Sequence, residues 1–285
     1  MIFDIAHTTT YLYNRPVFLE PQILRFRPRS DGRQLLRSFQ LALSPQPAGQ
    51  TELIDAEGNA VTRAWFNGLT ESFSVAARFT VETGGDNPFD YLPEPNAKKL
   101  PMVYAEDTRV HLVPYLRRME TDDSLRRLAG QITRESSTNG DALAFLHNLN
   151  DWIYCNCRNT SREHSGPHRA EQTLADREGS CRDVAVLFME TCRAVGLAAR
   201  FVSGYQQGDT DQARRELHAW AEVYVPGGGW RGYDPTHGLA VADRHIAVAT
   251  SAIQRATMPV TGSFRGTGAT AKMETHIELT ARARS

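Results

Sequence analysis

His218-Ala219-Trp220-Ala221-Glu222-Val223-Tyr224-Val225, then Pro226-Gly227-Gly228-Gly229, then Trp230-Arg231-Gly232-Tyr233-Asp234, reads as an antiparallel hairpin. Successive residues of a strand point to opposite faces, so a strand over 217–225 places His218, Trp220, Glu222 and Tyr224 on one side. The three glycines supply the reversed φ that a tight turn requires, and 230–234 forms the return strand. In an antiparallel pair the start of one strand lies beside the end of the next. Asp234 is therefore expected near His218, where a carboxylate would fix the tautomer of an imidazole and turn its other nitrogen outward.

Upstream of the hairpin, 181–195 has helical spacing, with Val184, Ala185, Leu187, Phe188 and Cys192 available to a core and Gly196 as a left-handed cap. Gly179-Ser180-Cys181 stands where a loop turns into this helix. A cysteine attacks as thiolate, and the free amides and positive dipole end of a helix N-terminus favour that anion. Cys181 is thus the candidate nucleophile, His218 its base and Asp234 the residue that orients the base. The Cys181 amide is a candidate oxyanion donor. Asp183, in the first turn, suits either a capping role or support of the site. Trp220 is expected to pack beside the three, together with Tyr224, Trp230 and Tyr233. A strand over 198–205 between helix and hairpin makes the unit α+β.

The first 85 or so residues carry period-two alternation, with Phe3, Ile5, His7, Thr9, Tyr11 and Tyr13 on one side of one segment and Phe73, Val75, Ala77, Phe79 and Val81 on one side of another. Shorter strands are expected at 36–43 and 61–66, with Asp55-Ala56-Glu57-Gly58-Asn59 as a turn. This is an antiparallel, sandwich-like N-terminal domain over 1–85. Pro88, Pro93, Pro95, Pro101 and Pro114 mark 86–120 as a linker poor in regular structure. Residues 121–285 form the remaining unit. In it a helix is expected from Thr121 to about Ser136, capped by Thr121-Asp122-Asp123, and another after Asn139-Gly140-Asp141. The second buries Leu143, Leu146, Leu149, Trp152 and Ile153. A short helix over 170–177 ends at Gly179, and the tail contributes a last strand at 272–280.

Net charge is −1 over 285 residues, with 41% hydrophobic and 23% charged residues. That balance offers no basic field for nucleic acid and no polybasic patch for a membrane. No run of about 18 apolar residues and no signal-type N-terminus is present. Four cysteines are too few and too uneven for a disulfide framework, so a cytoplasmic setting is expected. Cys192 falls on the Cys181 helix face, nearly three turns on, and belongs to the core. Cys155-Asn156-Cys157 with His164 or His168 lacks the spacing of a structural zinc site, so no metal and no organic cofactor is expected. His7, His237 and His245 have no assignable partner and read as structural or surface residues.

Taken together, Gly179-Ser180-Cys181-Arg182-Asp183, Cys192 to Tyr205, His218 to Tyr224, Gly229-Trp230 and Tyr233-Asp234-Pro235-Thr236 resemble the bacterial transglutaminase-like family, in that family's order. His7-Thr8-Thr9-Thr10-Tyr11 with Pro21, residues 55–59, Asn87-Pro88-Phe89-Asp90 and Asp243-Arg244-His245-Ile246 resemble the outer parts of its two-domain members. The resemblance implies a papain/transglutaminase-like core with Cys181, His218 and Asp234 as triad. It further implies a cysteine enzyme acting on peptide or side-chain amides through a thioester, with a peptide or protein substrate. Animal members place a tryptophan upstream of the nucleophile, and 158–170 has none, which favours a protease or amidase over a glutamine-directed amine transferase. A peptide-binding module with an idle site is the reading of another class. The oligomeric state stays open.

Overall fold

The structure is a computed structural model and describes residues 1–119, 123–135, 140–160, 168–208 and 215–284. Its centre is the helix Cys181–Ala194, buried along almost its whole length. Val184, Ala185, Leu187 and Phe188 pack there against Phe145, Leu146, Leu149 and Ile153 of the helix Ala142–Asn156, and against Leu125, Leu128 and Ile132 of the helix Asp123–Glu135. Asp141 caps Ala142–Asn156 by accepting from the Leu143 and Ala144 amides at 2.8 and 2.9 Å, which satisfies two donors the helix itself leaves free. Leu143 and Trp152 lie at the margin of that core rather than inside it, and the Arg177 guanidinium covers the Trp152 ring at 4.3 Å.

One face of the central helix rests on an antiparallel five-stranded sheet in the order Leu239–Ala240, Gly229–Asp234, His218–Val225, Ala199–Gln206, His245–Ser251. Arg193, at the end of the helix, ties these layers together. Its guanidinium is fully buried, pairs with Glu190 at 2.8 Å, and donates to the carbonyls of Tyr115, Ala199 and Ala252. A buried charge is tolerated only with such complete pairing.

The N-terminal residues fold as two antiparallel sheets. One runs Phe264–Arg265, Ile2–Leu19, Leu69–Thr83, Gln34–Ser44, and the other Val260–Thr261, Gln22–Leu24, Ala60–Trp65, Gly49–Ile54. Phe3, Ile5, Phe73, Val75, Phe79 and Val81 are buried between them, as their alternation requires. The final strand, Ala271–Arg282, pairs with Ile2–Leu19 from Tyr13↔Ala271 to Ile2↔Arg282. The tail that reads in sequence as part of the unit from 121 onward is thus paired with the first strand of the chain. Tyr205, Ile246 and Val248 of the central sheet enter this second core, so the two sheet systems share packed side chains.

Two elements depart from the sequence reading. The proline-rich stretch holds the helix Glu106–Leu116, with Pro114 inside it. Pro114 removes only the hydrogen bond to the Val110 carbonyl, and Val110 is exposed enough for water to replace it. The strand Gly49–Ile54 pairs with Ala60–Trp65 across the 55–59 turn, but solvent reaches nearly every residue of it, so no apolar alternation announces it. The expected caps at Thr121, Asp122 and Asn139, the expected helix end at Ser136, and His164 lie outside the described residues. Among the described residues no helix is long and apolar enough to cross a membrane.

Candidate active site

Cys181 is the first residue of the central helix, half-buried, with its Sγ 4.0 Å from the Leu217 carbonyl oxygen. Asp183 holds this turn in place. Fully buried, it accepts from the Ser180 amide at 2.7 Å, the Ser180 hydroxyl at 2.8 Å and the His168 amide at 2.6 Å. Gly179 makes the closure possible, since a Cβ there would stand 2.7 Å from the Asp183 Cβ. Asp183 therefore caps the helix and fixes the loop that presents Cys181. The Cys181 amide, first of the helix, has no carbonyl within the helix to bond and lies at the dipole's positive end.

The hairpin register sets Ala221 opposite Tyr233 and Val225 opposite Gly229. Continued by one residue, it sets Trp220 opposite Asp234, with His218 diagonal to it on the same face, within reach of a side-chain bond. His218 Nε2 lies 2.7 Å from Asp234 Oδ2. Since Nε2 is committed there, Nδ1 is the nitrogen left to face Cys181, which lines the same cleft. Burial works against a charge on His218, but the Asp234 carboxylate outweighs it and, with Cys181 nearby, raises the imidazole from 6.5 to about 10. Asp234 is itself fully buried, which alone would raise its pKa; the charge on His218 and the bonds it accepts hold it well below the usual carboxylate range.

Those bonds come from three imidazoles. Besides His218, His237 Nδ1 lies 2.9 Å and His245 Nε2 3.0 Å from the same Asp234 oxygen, while the Thr236 amide donates to Oδ1 at 3.1 Å. His237 and His245 read in sequence as residues without partners; the structure corrects this. A signal for His237 was present, because Asp234-Pro235-Thr236-His237 is a β-turn with proline at its second position. The His237 amide closes it on the Asp234 carbonyl at 3.2 Å. His245 arrives from a strand on the far side of the sheet, and burial lowers its pKa. His245 Nδ1 is buried with no partner among the described residues, which fits a neutral ring whose proton sits on Nε2. Trp220, fully buried, stacks on His218 with ring centroids 6.2 Å apart and meets His245 edge-on at 5.2 Å. His7 is also partnered, through Nδ1 to the Tyr205 hydroxyl at 2.7 Å and Nε2 to the Thr9 hydroxyl at 3.0 Å.

The ligating atoms of His218, Asp234 and His245 lie within 4.8 Å of one another, a spacing a transition-metal ion could use. The hydrogen bonds already account for that closeness. Cys155 is exposed and Cys157 half-buried, and Cys192 is fully buried, with burial pushing its thiol well up.

Cys181, His218 and His237 open onto a cleft of about 500 Å³. Its other wall is built by Thr9, Tyr11, Met273 and Thr275 of the N-terminal sheet and by residues 258–260. A half-buried thiol at a helix N-terminus and an imidazole face one cleft, with a buried carboxylate behind the imidazole, an arrangement that nucleophilic thiol chemistry could use.

The comparisons agree with that architecture. Residues 126–235 match the transglutaminase-like superfamily, and residues 3–82 match the bacterial transglutaminase-like N-terminal region. The chain belongs to the transglutaminase-like superfamily and carries that N-terminal region. An uncharacterised protein of Mycobacterium tuberculosis is 26% identical over 264 residues, covering 86% of this chain and 82% of that protein. A protein-glutamine gamma-glutamyltransferase of Pseudomonas aeruginosa is 38% identical over 71 residues, 22% of this chain and 11% of that enzyme. A crystal structure from Cytophaga hutchinsonii, provisionally assigned as a cysteine protease, superposes with a TM-score of 0.74 at 22% identity, covering all of this chain and 92% of that one.

Proposed function

We propose that the chain is a cysteine hydrolase that cleaves peptide or side-chain amides through a thioester on Cys181. The observation that carries this is Cys181 and His218 lining one cleft, with His218 held by the buried Asp234 at 2.7 Å. Cys181 attacks the amide carbonyl, and the Cys181 amide at the helix N-terminus stabilises the oxyanion. His218 then protonates the leaving amine from Nδ1 while Nε2–H stays on Asp234. Water resolves the thioester. A peptide or protein substrate suits a cleft walled by two sheet systems, and a cytoplasmic setting would keep the thiol reduced.

Transfer to an amine is the second reading, favoured by the name of the Pseudomonas aeruginosa relative. Hydrolysis stands first because no tryptophan lies upstream of Cys181 in residues 158–170. Alkylation by iodoacetamide at neutral pH, compared between wild type and His218→Ala, tests the enzyme reading. The expected result is fast labelling of Cys181 that falls at least tenfold in the variant. Labelling indifferent to His218 would favour the idle peptide-binding module. Incubating a peptide library with and without a primary amine then separates hydrolysed from amine-linked products by mass.

A further inference from the structure

Asp234 accepts from two imidazoles that both face the cleft, and the cysteine mechanism above uses only one of them. His237 Nδ1 is 2.9 Å from Asp234 Oδ2, and its side chain, 35% exposed, lines the cleft beside His218 and Cys181. With Nδ1–H given to the carboxylate, the lone pair of a neutral His237 lies on Nε2, which makes no hydrogen bond among the described residues. The two rings are 5.2 Å apart, centroid to centroid, so both can serve one bound carbonyl from different sides. We propose that His237 is a second catalytic base, which activates the water or amine that resolves the thioester, while His218 serves the thiol and the leaving amine.

This inference rests on the thioester chemistry proposed above and adds a division of labour to it. An O–H or N–H bond of the nucleophile breaks, its proton passing to His237 Nε2, as the new bond to the acyl carbon forms. The C–S bond then breaks, its electron pair returning to Cys181 as thiolate. His237 releases its proton to solvent, and His218, which lost one to the leaving amine, regains one from solvent. His218 is poorly placed for the middle of this sequence. Its side chain is only 11% exposed, and the one nitrogen that Asp234 leaves it is turned toward Cys181 rather than the open cleft. His237 shares the orienting carboxylate yet stands open to the cleft. The turn Asp234-Pro235-Thr236-His237 is what returns the second ring to the carboxylate.

The test uses p-nitrophenyl acetate as the probe, with stopped-flow release of p-nitrophenol for acylation and the steady state for deacylation. His237→Asn keeps a donor near the Nδ1 position but no base. The expected result is a burst rate within about twofold of wild type, steady-state turnover reduced on the order of 10²-fold, and acetylated Cys181 accumulating by intact mass. Hydroxylamine, which needs no base to attack a thioester, should return turnover to within a few-fold of wild type. Burst and steady state falling together, or turnover within about threefold of wild type, would overturn the role of His237 alone. A wild-type enzyme with no burst, or a burst that survives Cys181→Ala, would overturn the thioester reading and this inference with it.

Discussion

Asp234→Asn is the perturbation whose consequence follows most directly from the geometry. Asn keeps the shape and can still accept one imidazole proton, so the change removes charge with little change of volume. In the wild type two influences oppose each other at His218: burial disfavours the imidazolium, and the Asp234 carboxylate 2.7 Å away more than restores it, to about 10. Without the charge, burial and the neighbouring Cys181 remain, and His218 is expected to titrate near or below its ordinary value of about 6.5. A fall of roughly 3.5 units corresponds to an interaction on the order of 5 kcal/mol. Stability should report it with a definite sign. The raised His218 contributes stability that is complete below about 6.5 and lost as pH rises through about 10. The depressed Asp234 contributes stability present above about 3.9 and lost as pH falls through its lower folded value. The pair's contribution is therefore largest between about pH 4 and 6.5, and the variant's urea midpoint should lose that maximum. NMR titration of the His218 ring protons measures the shift itself. A variant in which His218 still titrates above about 8.5, or a wild type in which it titrates below 7, refutes the assignment of the carboxylate as the dominant influence.

Three further substitutions probe what holds the site. Arg193→Ala leaves Glu190 buried without its partner and three carbonyls without a donor, so urea denaturation should show a loss of about 3–5 kcal/mol; a loss below about 1 kcal/mol would contradict the packing described. Gly204→Ala places a Cβ 2.0 Å from the Ile246 carbonyl oxygen and 2.8 Å from the Trp220 ring, which should cost on the order of 1–3 kcal/mol and shift Trp220 fluorescence, whereas an unchanged spectrum and midpoint would show that the strands are further apart. Truncation after Thr270 removes the strand Ala271–Arg282 and bares the edge of Ile2–Leu19 from Ile2 to Tyr13. Aggregation or a markedly lowered Tm is expected, and a soluble product with the full-length Tm would show the strand to be dispensable.

The sequence carried the elements around the site further than the site itself, and the reason lies in where each residue's partners come from. Cys181, His218 and Asp234 stand in a helix and a hairpin whose spacing is visible locally, and a period-two register brings the last two together across one turn. Phe3 to Thr9 and Phe73 to Val81 were readable because one face is buried and the other meets solvent. Gly49–Ile54 lies on a sheet edge with no buried face, so its pairing with Ala60–Trp65 left no imprint on residue type. The strand Ala271–Arg282 was visible, but its partner lies at the other end of the chain, from Ile2 to Tyr13, and alternation says that a strand exists without saying which neighbour it takes.

His245 shows the same limit inside the site. It sits on a strand separated from the hairpin by Ala199–Gln206, and reaches Asp234 across a strand whose Gly204 stands opposite His218 and carries no side chain. Gly204 leaves the space that Trp220 fills, and Trp220 in turn packs against both His218 and His245. A buried carboxylate costs several kcal/mol unless its lone pairs are met. Asp234 meets that condition by recruiting one imidazole from its own turn, one from the neighbouring strand and one from beyond the sheet's centre. The three donors are separated in sequence because no single element could place three rings around one oxygen. The convergence that keeps Asp234 ionised beside His218 is therefore a property of the sheet, and the rings that join it gain their chemical meaning only once the strands are laid side by side.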